Sequence, residues 1–211
     1  MAREAAARYG GGMKKLVLSA LLLAAPANAT SLAPITLADV AVSLKGTTSL
    51  SADFTQAGAD GRVLAGKLWL ARPGKVRFQY NTAKMLLVAN GRTLSFIDYE
   101  VRQVSQWPVR RTPLQILLAA EPDLAPIARI TADTPDGVEV AARDPKRPEF
   151  GTLSIRFVRA AGAPGGLALS GWTALDAQGG RSEVRLTNVR YGASMAGVSF
   201  GFADPRRDGP R

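Results

Sequence analysis

Residues 66–80, GKLWLARPGKVRFQY, restrict what this chain can fold into more than any other stretch. Apolar and polar residues alternate on both sides of Pro73-Gly74, a pair that breaks helices and ends strands, so the segment predicts a β-hairpin. Successive side chains point to opposite faces of a strand, which gives each predicted strand one apolar face. The residues of these faces are Leu68 and Leu70 in the first strand, and Val76, Phe78 and Tyr80 in the second. Arg72 has the parity of the two leucines and is therefore predicted at the rim of an apolar surface.

Short alternating segments separated by turn residues recur along the chain and predict a mainly β, α+β protein with an antiparallel sheet. Asn90-Gly91, between two of these segments, is a strong two-residue turn signal. Besides the second hairpin strand, the predicted strands are residues 49–56, 63–71, 85–89, 93–98, 101–107, 138–142, 153–158, 167–175, 183–189 and 199–202. About ten or eleven strands are more consistent with one large curved sheet or open barrel than with a small sandwich.

Three segments have a helical spacing of apolar residues instead. Residues 34–45 predict a first amphipathic helix. Thr112 and Pro113 suit the N-cap and the first position of a helix over residues 114–120, and residues 123–129 predict a further short helix. A sheet with one apolar face needs a cover, so we expect the helices to lie against its concave face. They either fill that face as a core, which the packing of buried aromatics on one another favours, or leave a cavity.

The N-terminal part of the chain has the layout of a secretory signal. Its parts are a basic start at residues 13–15, an apolar run at residues 16–25 and the cleavage motif Ala27-Asn28-Ala29. We expect Met13 to be the true start and cleavage to follow Ala29. Residues 30–205 are then one exported domain, and residues 206–211 a disordered tail. Removing the first 29 residues changes the formal net charge from +10 to +7.

The composition disfavours an enzyme. The chain has no cysteine and no histidine, which excludes disulfides and thiol catalysis and removes the commonest general base and metal ligand. No metal-ligand cluster, nucleotide-binding loop or nucleophile motif is present. Asp53, Asp98 and Glu100 are interpreted as solvated strand-end or turn residues. An exported protein rarely meets nucleic acid, so the positive charge indicates membrane head groups or acidic partner proteins as its counterparts.

Several motifs occur in one order along the chain. They are Phe54-Thr55-Gln56, Gly66-x-Leu68-Trp69-Leu70-x-Arg72-Pro73-Gly74-x-Val76-Arg77-Phe78-x-Tyr80, Asn90-Gly91-x-x-Leu94-x-Phe96-x-Asp98, Gln103-Val104, Thr112-Pro113-x-x-x-Leu117-Leu118 and Phe200-x-Phe202-x-x-Pro205. With these motifs the chain resembles the periplasmic outer-membrane lipoprotein carrier family, LolA, from about residue 38 to residue 205. The arginine-proline hairpin in this context is the most specific of them.

The resemblance implies an incomplete, half-open antiparallel β-barrel with a lid of short helices and an apolar cavity for the acyl chains of a lipoprotein. It implies a periplasmic monomer without a catalytic centre or cofactor. The implied partners are acylated lipoproteins, an ABC-type lipoprotein-releasing transporter in the inner membrane and a lipoprotein receptor in the outer membrane. The implied cavity residues are Leu68, Leu70, Val76, Phe78, Tyr80, Leu94 and Phe96 on the barrel, and Leu37, Val40, Leu114 and Leu117 on the lid.

Arg72 matches the family's arginine before proline. The resemblance implies a latch, in which this guanidinium donates to backbone carbonyls of the lid helices when the carrier is empty. The alternative is an exposed arginine at a strand end. The chain departs from the family pattern after Pro205, where a C-terminal strand of some members is absent or unpaired, and it lacks the lipid-attachment cysteine of the related receptor.

Two alternatives to a lipoprotein carrier stay open on the sequence. The first is a carrier or sensor of the same fold for another amphiphile, such as a glycolipid or phospholipid. The second is a non-catalytic interaction domain with a solid interior. The residues themselves name no cargo.

Overall fold

The computed structural model describes residues 33–112, 114–176 and 178–207, so the predicted secretory signal lies outside the described residues. Within them, eleven strands form one antiparallel sheet in the order β6-β5-β4-β3-β2-β1-β11-β10-β9-β8-β7. The strands are β1 (Ser49–Ala57), β2 (Val63–Ala71), β3 (Lys75–Tyr80), β4 (Met85–Asn90), β5 (Thr93–Asp98), β6 (Gln103–Pro108), β7 (Ala128–Thr134), β8 (Gly137–Ala142), β9 (Thr152–Arg159), β10 (Leu167–Leu175) and β11 (Arg181–Tyr191). The outermost strands β6 and β7 do not pair with each other. The sheet is therefore open, which confirms the predicted fold class.

The hairpin predicted at residues 66–80 is present near the middle of the sheet. Strands β2 and β3 pair in register, with Leu68 opposite Phe78. Gly74 in the connecting turn has a φ of 74°, and a Cβ at this position would lie 2.7 Å from the Cα atom of Gly91. The turn therefore requires glycine, both for its backbone conformation and for the close approach of the neighbouring turn.

The first predicted helix is confirmed as α1 (Leu37–Gly46), with Thr36 as its N-cap. The N–H of Asp39 donates to the Thr36 hydroxyl at 3.2 Å, and the N–H of Thr36 donates to the Asp39 carboxylate at 2.8 Å. This capping box satisfies free donors at the helix start, so the helix begins after Pro34 instead of at it. Val40 and Leu44 are its buried apolar residues.

The mid-chain helices are shorter than predicted. Residues 114–120 provide only one helical turn, α2 (Gln115–Leu118), which follows a 3₁₀ turn at Val109–Arg111. The helix predicted at residues 123–129 is wrong, since edge strand β7 begins within this range. Pro126 lacks an N–H and disfavours a helical conformation of the residue before it, so the spaced apolar residues reach the core without a helix. No helix in the described part of the chain is long and apolar enough to cross a membrane.

The strand predicted at residues 199–202 is also wrong. Phe200 and Phe202 are half-buried against a small cluster on the outer face of the sheet, the face away from α1 and α2. The buried members of this cluster are Leu86, Val88 and Ile97. Arg77 donates hydrogen bonds of 3.0 and 3.2 Å to two backbone carbonyls of the segment. The alternating phenylalanines therefore reflect packing on the sheet. Hydrogen bonds from the Arg77 side chain satisfy backbone carbonyls that a partner strand would otherwise satisfy.

Candidate functional site: the inner face and the lid segment

The side chains predicted to line a cavity lie on the inner face of the sheet and on the helices α1 and α2 that pack against it, with Leu114 directly before α2. Eight of the eleven are buried in one hydrophobic cluster, namely Val40, Leu68, Leu70, Val76, Phe78, Tyr80, Leu94 and Leu117. Leu37 and Leu114 are half-buried against that cluster. Phe96 is half-buried and pairs with Leu87 of β4, which also packs on the cluster. The structure therefore brings the predicted residues together, with most of them packed as a core.

Four aromatic rings pack edge to face in the centre of the inner face. The ring centroid of Phe54 lies 5.2 Å from those of Phe78 and Tyr80, and the centroid of Phe78 lies 5.9 Å from that of Trp172. Such contacts contribute about 0.5–1.5 kcal/mol each beyond the burial of area. The group joins β1, β3 and β10, so it connects the two halves of the open sheet.

Phe54 and Trp172 were not among the predicted site residues. Every second residue of β1 up to Phe54 is buried, so strand parity could have placed Phe54 on the inner face. Trp172 could not be placed in this way, because the register of β10 against β9 shifts between Leu169 and Gly171. The bulge gives Trp172 the same face as Leu169, whereas simple alternation predicts the opposite face.

The Tyr80 hydroxyl is a polar group within this aromatic cluster. It donates to Oε1 of Gln56 at 2.7 Å, and Nε2 of Gln56 donates to the Ser182 hydroxyl at 2.9 Å. Burial disfavours the phenolate and raises the pKa of Tyr80 to about 12. The site therefore holds a neutral phenol at neutral pH.

The alkaline pH dependence of stability should report this buried phenol. Because the pKa of Tyr80 is raised from 10.0 to about 12 in the folded protein, its stabilising contribution is complete below pH 10 and is lost as the pH rises towards 12. We expect the wild type to lose up to about 2–3 kcal/mol of unfolding free energy relative to Tyr80→Phe over this interval. Denaturant titrations of both proteins on either side of pH 10 measure the difference. An identical pH dependence would contradict the raised pKa.

A short segment covers one side of the inner face and connects the two edges of the sheet. We call residues 109–127, which contain the 3₁₀ turn and α2, the lid segment. The Gly74 N–H of the hairpin turn donates to the Leu118 carbonyl at 2.9 Å, and the Val109 N–H donates to the Arg92 carbonyl at 2.8 Å. On the other side, Arg147 Nη1 donates to the Arg110 carbonyl at 3.0 Å. Hydrogen bonds among the described residues thus anchor the lid segment to the β2–β3 turn, the β4–β5 turn and the β8–β9 loop.

Arg72 lies close to Gly74 in the hairpin turn. Its side chain donates no hydrogen bond to a described residue of the lid segment, although the resemblance implies such bonds. Its backbone N–H donates to the Thr48 carbonyl at 2.8 Å. Its Nε and Nη1 atoms are buried and have no hydrogen-bond partner among the described residues. Burial lowers the pKa of Arg72 to about 10. The hydrogen bond between the hairpin turn and the lid segment comes from the backbone of Gly74, and the latch role of Arg72 stays a prediction.

Three cavities adjoin the lid segment. One of about 190 Å³ lies between α2, residues 121–127 and the β8–β9 loop. A second, of about 640 Å³, lies between α2 and the turns β2–β3 and β4–β5. A third, of about 530 Å³, is lined by parts of residues 126–129 and 143–148. Their linings combine apolar side chains with arginines, and that of the first cavity also includes Glu121, Asp123 and Asp144. The described residues include no group of three or more histidine, cysteine, aspartate or glutamate side chains placed to hold a metal ion.

Two named relatives and several solved structures are similar to this chain. The chain is 26% identical over 178 residues to an outer-membrane lipoprotein carrier protein of Chromohalobacter salexigens, covering 79% of this chain and 81% of that protein. It is 27% identical over 192 residues to the outer-membrane lipoprotein carrier protein of Chromobacterium violaceum, covering 87% and 88%. A crystal structure of a LolA superfamily protein from Nitrosomonas europaea aligns over 78% of this chain and 97% of that chain at 8% identity, with a TM-score of 0.43.

A further solved structure is the complex of MucA and MucB from Pseudomonas aeruginosa. It aligns over 80% of this chain and 60% of that chain at 16% identity, with a TM-score of 0.46. The sequence model of the family described as outer membrane lipoprotein carrier protein LolA matches residues 45–203, which run from the end of α1 to the C-terminal segment on the outer face. This match covers most of the chain, and the chain belongs to the LolA family.

Proposed function

We propose that this protein is a periplasmic carrier that binds the acyl chains of lipoproteins released from the inner membrane and delivers them to the outer membrane. It takes its cargo from an ABC-type transporter in the inner membrane and passes it to a lipoprotein receptor in the outer membrane. Family membership and the names of the two relatives support lipoprotein as the cargo. The family consists of non-catalytic carriers, and we assign this chain no catalytic step.

The observation that carries the proposal is a continuous apolar face under a short cover, the lid segment. α2 is a single turn, and the described hydrogen bonds of the lid segment to the two turns and the β8–β9 loop involve one residue of each turn and two of the loop. Since β6 and β7 do not pair, the segment can swing away without breaking a strand pair. Acyl chains would then replace Leu114 and Leu117 on the cluster.

Physical chemistry explains why such a carrier is needed. Each methylene moved from water to an apolar site contributes about 0.8 kcal/mol, so a lipoprotein anchor with several long chains does not cross an aqueous compartment unaided. An apolar protein surface lowers that barrier. The lid side chains compete with the cargo for the inner face, which keeps the net affinity moderate enough for release.

Half-buried Phe96 allows the binding site to be tested without emptying the core. We expect Phe96→Ser to weaken binding of a fluorescent long-chain fatty acid about tenfold or more, because it removes apolar contact area at the accessible part of the inner face. Val101→Ser is the matched control, since Val101 is 66% exposed in the turn after β5. Equal affinities of the two folded variants would contradict the assignment of the inner face.

Native mass spectrometry of the protein purified from a periplasmic extract should identify the cargo. A bound acylated protein is the expected result, and release of that protein from spheroplasts by the added carrier would establish the direction of transport. A bound glycolipid or phospholipid would instead assign the chain to another amphiphile. A protein that never takes up the fatty-acid probe would be an interaction domain.

A further inference from the structure

One end of the β2–β6 half of the sheet carries positive charge without any acidic residue. It is formed by residues 71–75, 90–93 and 107–112, which are two turns and the end of β6 with the 3₁₀ turn. Its basic residues are Arg72, Lys75, Arg92, Arg110 and Arg111, and these three segments contain no aspartate or glutamate. We call these three segments the basic end.

The opposite end of the same strands has balanced charge. It consists of residues 57–63, 80–85 and 98–103. Its charged residues are Arg62, Lys84 and Arg102 on the basic side and Asp60, Asp98 and Glu100 on the acidic side. Both ends consist mainly of turns between the same strands. The need to keep turns solvated therefore does not explain why only the basic end has an excess of positive charge.

Three exposed arginines of the basic end lie close together with free side chains. The backbone hydrogen bond from Val109 to Arg92 holds the β4–β5 turn against the 3₁₀ turn that contains Arg110 and Arg111. All three arginine side chains are exposed, and they form no hydrogen bond or ion pair with another described residue. Their guanidinium groups are therefore available to an external anion.

An exposed tryptophan stands next to these arginines. Trp107 is 46% exposed, and it lies opposite Leu94, whose side chain is buried on the inner face. Because β6 is an edge strand, the indole lies where the inner face meets solvent. A tryptophan ring has an apolar body and one N–H donor, and it is enriched at the level of lipid head groups for that reason.

We propose that the basic end docks on the surface of a phospholipid bilayer that contains anionic head groups. The arginines pair with lipid phosphates, and Trp107 inserts among the head groups. The cavity of about 640 Å³ is lined in part by Arg92 and Arg110, so docking turns the α2 side of the lid segment towards the bilayer. Uptake of fatty acid from solution does not require this contact, and the inference therefore goes beyond the proposed function.

A bilayer fits the basic end better than an acidic protein does. The arginines lie on two separate segments, and among the described residues no hydrogen bond or ion pair holds their long side chains in one orientation. Mobile phosphates can match such an arrangement, whereas fixed carboxylates of a protein need a defined geometry. The exposed indole beside them also suits a lipid interface.

Vesicle co-sedimentation tests the inference. The wild type is compared with Arg92→Gln/Arg110→Gln/Arg111→Gln on vesicles of phosphatidylglycerol mixed with phosphatidylcholine, and on phosphatidylcholine alone. Each basic residue near an anionic surface contributes about fivefold, so the triple variant is expected to bind the mixed vesicles roughly a hundredfold more weakly. The matched control, Arg62→Gln/Lys84→Gln/Arg102→Gln, removes the same charge from the opposite end and should bind like the wild type.

Fluorescence gives a second readout that does not depend on charge. Mixed vesicles should shift the tryptophan emission of the wild type to shorter wavelength, and Trp107→Phe should remove that shift while keeping fatty-acid uptake. Equal binding to both vesicle types, or equal losses in the two triple variants, would overturn the inference. Binding to soluble polyglutamate but not to mixed vesicles would assign the basic end to an acidic protein and would also overturn it.

Discussion

Phe78→Ala is expected to lower the free energy of unfolding by about 3–5 kcal/mol. Phe78 is 2% exposed and contacts the rings of Phe54 and Trp172. Alanine leaves a cavity between β1, β3 and β10 that these large rings cannot fill, so the loss includes both burial and edge-to-face contacts. Denaturant unfolding followed by circular dichroism measures the change.

The control for this prediction is Val101→Ala, which should change the free energy of unfolding by less than about 0.5 kcal/mol because Val101 is exposed. A loss below about 1 kcal/mol for Phe78→Ala would show that the interior is loosely filled, as in an interior that already holds a cavity. Phe78→Glu is expected to prevent folding, since it buries a carboxylate among aromatic rings. Loss of acyl binding in that variant would therefore not report on the cargo site.

Arg72→Leu is expected to raise the free energy of unfolding by about 1–2 kcal/mol. Two guanidinium nitrogens of Arg72 are buried without a hydrogen-bond partner among the described residues. Burial also lowers the pKa of Arg72 to about 10, which means that the guanidinium stays charged at neutral pH at a free-energy cost that it does not bear in the unfolded chain. Leucine removes that cost and keeps apolar volume at the rim of the core.

Arg77→Leu is the matched control, on the neighbouring strand of the same hairpin. Arg77 donates to the carbonyls of Ser199 and Gly201, so its loss should lower the free energy of unfolding by about 1–2 kcal/mol. The two arginine variants therefore have opposite expected signs. Destabilisation by Arg72→Leu together with retention of cargo in a lipoprotein-release assay would contradict our expectation and support the latch role that the family resemblance implies.

The strands show how far local pattern predicts this fold. The hairpin with β2 and β3, the Asn90-Gly91 turn between β4 and β5, and the apolar face of β3 follow from alternation and turn chemistry, and the structure confirms them. These features depend on residues that are close in the sequence. They are therefore visible without knowledge of the tertiary structure.

The errors occur where a distant contact decides the local conformation. Pro126 ends the predicted mid-chain helix and the chain continues into β7, which pairs with β8. Phe200 and Phe202 alternate as a strand would, but they pack on the outer face of the sheet. In both cases apolar periodicity correctly predicts burial, although it does not identify the element that is buried.

Some features of the candidate site are likewise predictable from local pattern, whereas others depend on distant contacts. Strand parity and the family resemblance place Leu68, Val76 and Phe78 on one inner face, and the structure brings them into one cluster. Trp172 joins them only because a bulge in β10 reverses its face. The Gly74–Leu118 hydrogen bond joins residues that are distant in the chain, and no sequence pattern indicates it.

The amino-acid sequence by itself determined the antiparallel strands, their turns and the apolar face, because alternation and turn propensity act between neighbouring residues. The tertiary structure alone decided which groups hold the lid segment, where the Arg72 guanidinium is buried and how charge is distributed between the two ends of the sheet. Those properties depend on pairing order and register, which bring together turns that are far apart in the chain. They arise only when the whole sheet has formed.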